Sequence, residues 1–192
     1  IVYSFFGFLW DDFGILGGRI FTWLIGSAGI AFMAATARNL APKEYRAESA
    51  LIAFVLLATN LYHLYFISMP KTYALASLLA AVSFWLMTLE RRGGMSEKAF
   101  ALVAGLALAF AAGTRISLAL LPVAAGLVMV VRRDWRFLTF FSLGAVAGAL
   151  LVYGPFLADS SARSGLAAAQ RYHAARGDSP LMMTVGSLSR LV

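Results

Sequence analysis

The sequence predicts an all-α protein of the membrane-embedded class, a polytopic bundle of about six transmembrane helices. Hydrophobic residues make up 61% of the 192 residues and charged residues 13%, about half of the roughly 25% that soluble domains carry. The mean hydropathy is +0.80. Because a soluble domain of this size needs a polar shell that this chain cannot supply, the composition indicates a membrane protein. We expect residues 1–157 to form the bundle and residues 158–192 an exofacial loop or amphipathic segment.

The chain carries a net charge of +7, which in a soluble protein would raise the question of nucleic-acid binding. Here the basic residues form short clusters between apolar runs, so they are better explained as topology signals, and no nucleic-acid partner is predicted. The chain has no cysteine, which excludes a disulfide framework, a thiolate zinc site and a cysteine nucleophile. Its first residues lack the basic region of a signal peptide. We expect both ends to be cut from a longer protein.

Apolar runs of the length needed to span a bilayer, about 20 residues, divide the chain. They cover residues 18–36, 49–69, 72–89, 99–131 and 137–157. Pro70 ends the second run and suits the first turn of the third helix, where its missing N–H is not needed. Glycine and alanine are dense in the first and fourth runs, which favours close helix packing in lipid.

The run 99–131 is too long for one simple span and contains Arg115. One long helix would leave Arg115 near mid-membrane, at a cost of several kcal/mol. Two short helices that turn at residues 113–115 avoid this cost and form a re-entrant-like hairpin of about 15 residues a side. The hairpin also puts three basic clusters on the cytoplasmic side, as the positive-inside rule requires. These clusters are Arg38, Lys43 and Arg46, then Arg91, Arg92 and Lys98, then Arg132, Arg133 and Arg136.

Lys71 and Arg115 each lie in a very short turn on the predicted exofacial side. A cation embedded at such a place needs an anionic partner, and two converging cations beside helix starts suit a phosphate. A lipid phosphate or diphosphate in the outer leaflet fits this pattern. The alternative is that each side chain snorkels to a headgroup or pairs with Asp11 or Asp12.

Asp11 and Asp12 precede the first apolar run, and Arg19 begins it. A pair of carboxylates could act as a general base or hold a divalent metal together with phosphate, and no other cofactor is predicted. The alternative is a polar loop end that forms a salt bridge with Arg19, which could equally close onto a ligand anion.

His63 lies between Tyr62 and Tyr65 in the second run, with Asn60 one turn before it. Such a cluster can line a cavity or belong to an interfacial aromatic belt, which is the reading we favour. Arg171 and His173, in the tail, could cover a site at the outer face, although a solvated loop or surface helix is the simpler interpretation. The sequence contains no phosphate-binding loop, zinc-binding His-x-x-His pair or nucleophile elbow.

Three segments together resemble a known family. They are GGRIFTWLIGSAGIAFMAATARNL, FISMPKTYALASLLAAVSFWLM and AGLALAFAAGTRISLALLPVAAGLVMVVRR. In order and character they resemble the GT-C membrane glycosyltransferases, which include protein O-mannosyltransferases and aminoarabinose transferases. The resemblance covers about residues 13–157 and rests mainly on the order of apolar and basic stretches.

The resemblance implies a many-helix bundle in a bacterial inner membrane, with its active site at the outer face. It implies a polyprenyl-phosphate or diphosphate sugar as donor and a lipid, protein or glycan as acceptor. The family's catalytic acid lies in the first large exofacial loop, which we expect to precede Ile1. We therefore expect the chain by itself to be inactive.

Three functions remain open from the sequence. The first is transfer of a sugar from a polyprenyl-phosphate donor, in which Lys71 and Arg115 hold the phosphate leaving group. The second is a transporter or permease, which predicts broken helices with polar residues near mid-membrane. The third is a non-catalytic membrane subunit, or a polymerase or ligase of another fold.

Overall fold

A computed structural model describes residues 2–68, 72–89, 95–115 and 118–159. Within these ranges the protein is helical and has no strand, which confirms the predicted all-α class. The helices are α1 (Val2–Leu40), α2 (Arg46–Thr59), α3 (Leu61–Ser68), α4 (Tyr73–Thr88), α5 (Met95–Thr114), α6 (Leu120–Val131) and α7 (Trp135–Ala158), with a 3-10 turn at Lys43–Tyr45.

Three segments of these helices are long and apolar enough to cross a membrane: Gly14–Leu40, Ser96–Thr114 and Trp135–Pro155. Two further apolar helices, Tyr73–Thr88 and Leu120–Val131, are shorter. Leu51, Leu56 and Leu120 are each more than 60% exposed, and apolar side chains are exposed to this extent along most of the described helices. Such surfaces are stable when lipid covers them, so the structure supports a membrane protein.

Helix α1 is longer than the predicted helix 18–36 and bends at Gly14, whose φ of 63° and ψ of −171° are not helical. Glycine adopts this conformation readily because it has no Cβ. The bend separates the apolar segment Gly14–Leu40 from the first twelve residues of the described chain, which contain Asp11 and Asp12. The alternative that these aspartates form a polar loop end is wrong, because their backbone belongs to α1.

The predicted helix 49–69 is two helices rather than one. Asn60 has an extended backbone (φ −71°, ψ 109°) between α2 and α3, and its Oδ1 accepts a hydrogen bond from the His63 backbone N–H at 3.0 Å. Asn60 is therefore the N-cap of α3, a role for which asparagine is among the preferred residues. The polar residue that we expected inside a helix divides it instead.

The division of run 99–131 occurs where the sequence predicts it: α5 ends at Thr114 and α6 begins at Leu120. The two halves are less equal than expected. Helix α5 has 20 residues because it begins within the polar segment before residue 99, and it is long enough to cross a membrane. Helix α6 has 12 residues, about 18 Å, and is the short half.

Contacts between the helices give their directions. In α1 and α4, Phe32 stacks against Trp85 with ring centroids 5.1 Å apart, and Asn39 Nδ2 donates to Thr88 Oγ1 at 3.2 Å. These two helices are therefore parallel. Helices α5 and α7 are also parallel, because Gly144 of α7 lies against Leu102 and Gly148, one turn later, lies against Ala109.

Alanine supplies five of the ten buried residues in the core between α4, α5, α6 and α7. Ala101, Ala104 and Ala111 are fully buried, and Leu108 and Phe137 fill the space between them. Ser83 of α4 donates a hydrogen bond to the Ala104 carbonyl oxygen at 2.9 Å inside this core. Small side chains let the helix backbones approach closely, which is the main source of packing energy in lipid.

The two ends of the bundle differ in charge. At one end the Asn39–Thr88 pair lies near the cavity that contains Arg132, and Lys98 of α5 lies over the Phe140 ring of α7 at 5.4 Å. Glu97, Lys98 and Arg136 border one small pocket there. We call this the basic end. Arg115 and Tyr73 lie at the opposite end, where α5 ends and α4 begins.

The residues Ile1–Leu150 form one compact unit and Leu151–Val192 a second one. Of the second unit the structure describes residues 151–159, which are the last turns of α7, with Pro155 in the helix, and Asp159. The predicted exofacial segment 158–192 therefore lies almost entirely outside the described residues.

Candidate functional site

Arg115 lies in the turn that follows α5. Its backbone N–H donates to the Ala111 carbonyl oxygen at 3.0 Å, and its own carbonyl oxygen accepts from the Leu118 N–H at 2.9 Å. The Thr114 hydroxyl donates to the same Ala111 carbonyl at 2.7 Å. These bonds fix the backbone on both sides of Arg115, so its half-buried side chain leaves the helix end in a defined direction.

The Arg115 guanidinium lies on the ring of Tyr73, the first residue of α4. Its Cζ is 3.4 Å from the ring centroid, a stacking distance. Such a cation–π contact contributes about 0.5–2 kcal/mol, depending on how far it is shielded from water. A guanidinium that stacks through its face keeps its N–H donors along its edge, where they can bind the oxygens of a phosphate or carboxylate.

This contact joins Arg115, which the sequence singled out, to the first residue of α4. Lys71, the other predicted cation, lies outside the described residues. Whether the two cations converge on one anion stays a prediction.

Arg19 is exposed on α1, and its carbonyl oxygen accepts a hydrogen bond from the buried Thr22 hydroxyl at 3.0 Å. The register set by Asn39 against Thr88 and by Gly29 against Leu78 places Arg19 roughly 8 Å beyond Tyr73 along α1. Arg19 thus belongs to the same end of the bundle but lies further out. The side chains of Asp11 and Asp12 are outside the described part of the chain, so their catalytic role stays a prediction.

His63 is half-buried in α3. Its Nε2 is buried and has no hydrogen-bond partner among the described residues. Its neighbours Leu61 and Tyr65 are 81% and 57% exposed, as expected of side chains that face lipid or its interface. The exposed tyrosine suits the predicted aromatic belt.

Arg171 and His173 lie outside the described residues. Among the residues that are described, no group of three histidine, cysteine, aspartate or glutamate side chains could hold a metal ion. Tyr73 is the residue that sequence reasoning missed. The available signal was its position, two residues after a cation and at a helix start, where an aromatic ring can meet a cation from a neighbouring turn.

Comparisons with protein family models, with curated proteins and with solved structures find no match to this chain. The resemblance to the GT-C glycosyltransferases therefore stays an expectation from the sequence. The function has to be argued from the bundle and from the Arg115 end.

Proposed function

We propose that this protein is a membrane glycosyltransferase that holds the phosphate of a polyprenyl-linked sugar at the Arg115 end of the bundle. The observation that carries the proposal is the contact between Arg115 and Tyr73. It supports a preorganised guanidinium at the membrane surface opposite the basic end, against Tyr73, which follows Lys71 by two positions in the sequence. The positive-inside rule assigns the basic end to the cytoplasm, so this site faces outward.

In the proposed reaction a hydroxyl oxygen of the acceptor forms a bond to the anomeric carbon of the donor sugar. The bond from that carbon to the phosphate oxygen breaks, and the phosphate leaves with the electron pair. A carboxylate takes the hydroxyl proton, a role for which Asp11 and Asp12 are the candidates within this sequence. Arg115 and Lys71 stabilise the negative charge that grows on the phosphate, which is where fixed cations lower a barrier most.

A transporter is the second candidate, and one observation favours it. Transporter binding sites are commonly built from discontinuous helices, and α2 and α3 are divided at Asn60 within an apolar stretch. The half-buried His63 follows the break by three residues and has a buried ring nitrogen. The two candidates place their sites differently, at Arg115 for transfer and at Asn60 and His63 for transport.

The test is sugar transfer in membranes from cells that express the full-length protein, with a panel of radiolabelled polyprenyl-phosphate sugars. We expect Arg115→Ala to lower turnover about 10²-fold, the size seen when one fixed donor to a developing negative charge is removed. Arg115→Lys should retain an intermediate rate, because lysine keeps the charge but loses the planar guanidinium.

Lys43→Ala is the matched control, because Lys43 is an exposed cation in the short turn between α1 and α2. It should leave turnover unchanged. Equal rates for the Arg115→Ala and Lys43→Ala variants would remove the phosphate site from the proposal. The transporter proposal would replace the transferase proposal if vesicles took up sugar without transferring it. This uptake would have to be lost in His63→Ala and kept in Arg115→Ala.

A further inference from the structure

A cavity lies between α1, α4 and α6 near the basic end, away from the Arg115 site. Its volume is about 360 Å³, within the range of pockets that hold small molecules. The deeper part is lined by Met33, Phe84 and Leu121, and the outer part by Thr88, Arg132 and Asp134. The cavity is thus apolar along its length and polar at one end.

The cavity runs along the helices. From Leu121 to Arg132 it follows α6 for about 17 Å, and the C-terminal turns of α1 and α4 form the opposite wall. The α6 residues beside it, Leu127, Val128 and Val131, are exposed. The groove is therefore elongated and open toward lipid, a shape suited to a hydrocarbon chain.

The mouth of the groove is positively charged. A second cavity of about 420 Å³ shares Thr88, Arg132 and Asp134 with the first and adds Arg133. Both arginines are exposed. The Asp134 carboxylate accepts a hydrogen bond from the Phe137 N–H at 3.3 Å, so it caps α7. The mouth is thus lined by two arginines and by one carboxylate that caps a helix.

The backbone of Arg133 supports a role for its charge. Arg133 has a φ of 56°, the left-handed conformation in which side chains other than glycine are disfavoured. Its N–H donates to the Val130 carbonyl oxygen and the Asp134 N–H to that of Met129. This is the Schellman pattern that ends many helices, and its left-handed position is usually glycine. An arginine held where glycine is favoured is the kind of outlier that points to function.

We propose that this groove binds an anionic phospholipid of the leaflet at the basic end, with one acyl chain between α1, α4 and α6 and the phosphate between Arg132 and Arg133. Charge complementarity selects the occupant: basic pockets between transmembrane helices bind anionic headgroups, and the apolar groove continues from the pocket into the bilayer. The site is separate from the proposed sugar-transfer site and does not depend on it.

The test is native mass spectrometry of the delipidated protein in mild detergent. It is titrated with phosphatidylglycerol or with phosphatidylcholine of the same acyl chains. We expect phosphatidylglycerol to bind more tightly. Arg132→Gln and Arg133→Gly should each weaken its binding about fivefold, corresponding to roughly 1 kcal/mol for each basic residue near a lipid surface. Arg133→Gly keeps the left-handed turn, so this variant should fold at least as well as the original protein.

Two further comparisons distinguish binding in the groove from binding to the general positive charge of this end. Arg136→Gln removes a cation at the same end that does not line the groove, and it should leave binding unchanged. Ala124→Phe fills the groove and should weaken binding with both arginines present. Val123→Phe, at an exposed position of α6 that does not line the groove, should not.

Equal binding of the two lipids, or equal losses in Arg136→Gln and Arg132→Gln, would overturn the proposal. So would full phosphatidylglycerol binding in Ala124→Phe, since the acyl chain would then lie elsewhere. A dimer that forms through the groove and excludes phosphatidylglycerol would show that a second copy, and not a lipid, is the occupant.

Discussion

The carbonyl oxygen of Leu102 in α5 occupies the space that a side chain on Gly144 of α7 would need. The same holds in the other direction one turn later along α5, where a methyl group on Gly105 would collide with the Phe141 carbonyl oxygen of α7. The two backbones touch because both helices carry glycine at the crossing. In lipid, where apolar side chains gain little from leaving the solvent, such close contact supplies much of the helix association energy.

Replacement of Gly144 by alanine should therefore push α5 and α7 apart. We expect Gly144→Ala to destabilise the protein by about 1–3 kcal/mol, the usual cost of overpacking. A lower midpoint of thermal unfolding in detergent would show this. Gly154→Ala is the control, because a methyl group on Gly154 meets nothing within 4 Å. If the two variants unfold at the same temperature, the close crossing is absent.

The buried hydrogen bond from Ser83 to the Ala104 carbonyl gives a smaller expected effect. Ser83→Ala should cost about 0.6 kcal/mol and at most about 1.7 kcal/mol, the range measured for hydrogen bonds between membrane helices. The measurement is the free energy of unfolding in mixed micelles. Ser142→Ala, at an exposed position of α7, should change it by less than about 0.5 kcal/mol. A cost for Ser83→Ala no larger than that of Ser142→Ala would contradict the prediction.

The pairing of Arg115 with Tyr73 can be measured by a double-mutant cycle. We expect Arg115→Gln and Tyr73→Leu to be coupled by about 0.5–2 kcal/mol in the free energy of unfolding. Tyr73→Phe keeps the ring and should preserve most of the coupling. Additive effects of Arg115→Gln and Tyr73→Leu would show that the stacking contact contributes nothing.

The orientation of the bundle is open to a direct experiment, because the chain has no cysteine and a single introduced thiol can be labelled without background. A membrane-impermeant maleimide added outside intact cells should label Ala119→Cys, in the turn before α6. It should not label Lys43→Cys or Ser96→Cys, which lie at or near the basic end. The opposite labelling pattern would show that the Arg115 end faces the cytoplasm, which would contradict the proposal of an outward-facing transferase site.

Much of the fold could be predicted from the sequence, for reasons that particular residues make clear. Arg115 marks the division between α5 and α6 because a cation in the middle of an apolar run is too costly to leave there. Asn60 was misread because hydropathy does not register whether a side chain caps a helix or lies inside it. That distinction depends on the hydrogen bond that the His63 N–H donates to the Asn60 side chain. This bond forms only when the first turn of α3 has formed.

The site was predicted less fully. Arg115 was identified through its charge. Its partner Tyr73 was missed because a tyrosine near the end of a membrane helix is usually explained by contact with the lipid headgroups. The groove beside Arg132 was missed for a different reason. It is formed by three helices that are distant in sequence, and its apolar lining cannot be distinguished from ordinary core residues until the helices are in place.

The parallel contact of α5 and α7 has a consequence for how the protein is made. Both helices begin at the basic end, so they can meet only after the chain has returned to that end through α6. With 12 residues, α6 is too short to span a bilayer of about 30 Å unaided, so hydrophobic insertion alone holds it weakly. The glycine crossing joins α5 and α7, the helices before and after α6 in the chain, so the retention of α6 in the bundle depends on α7.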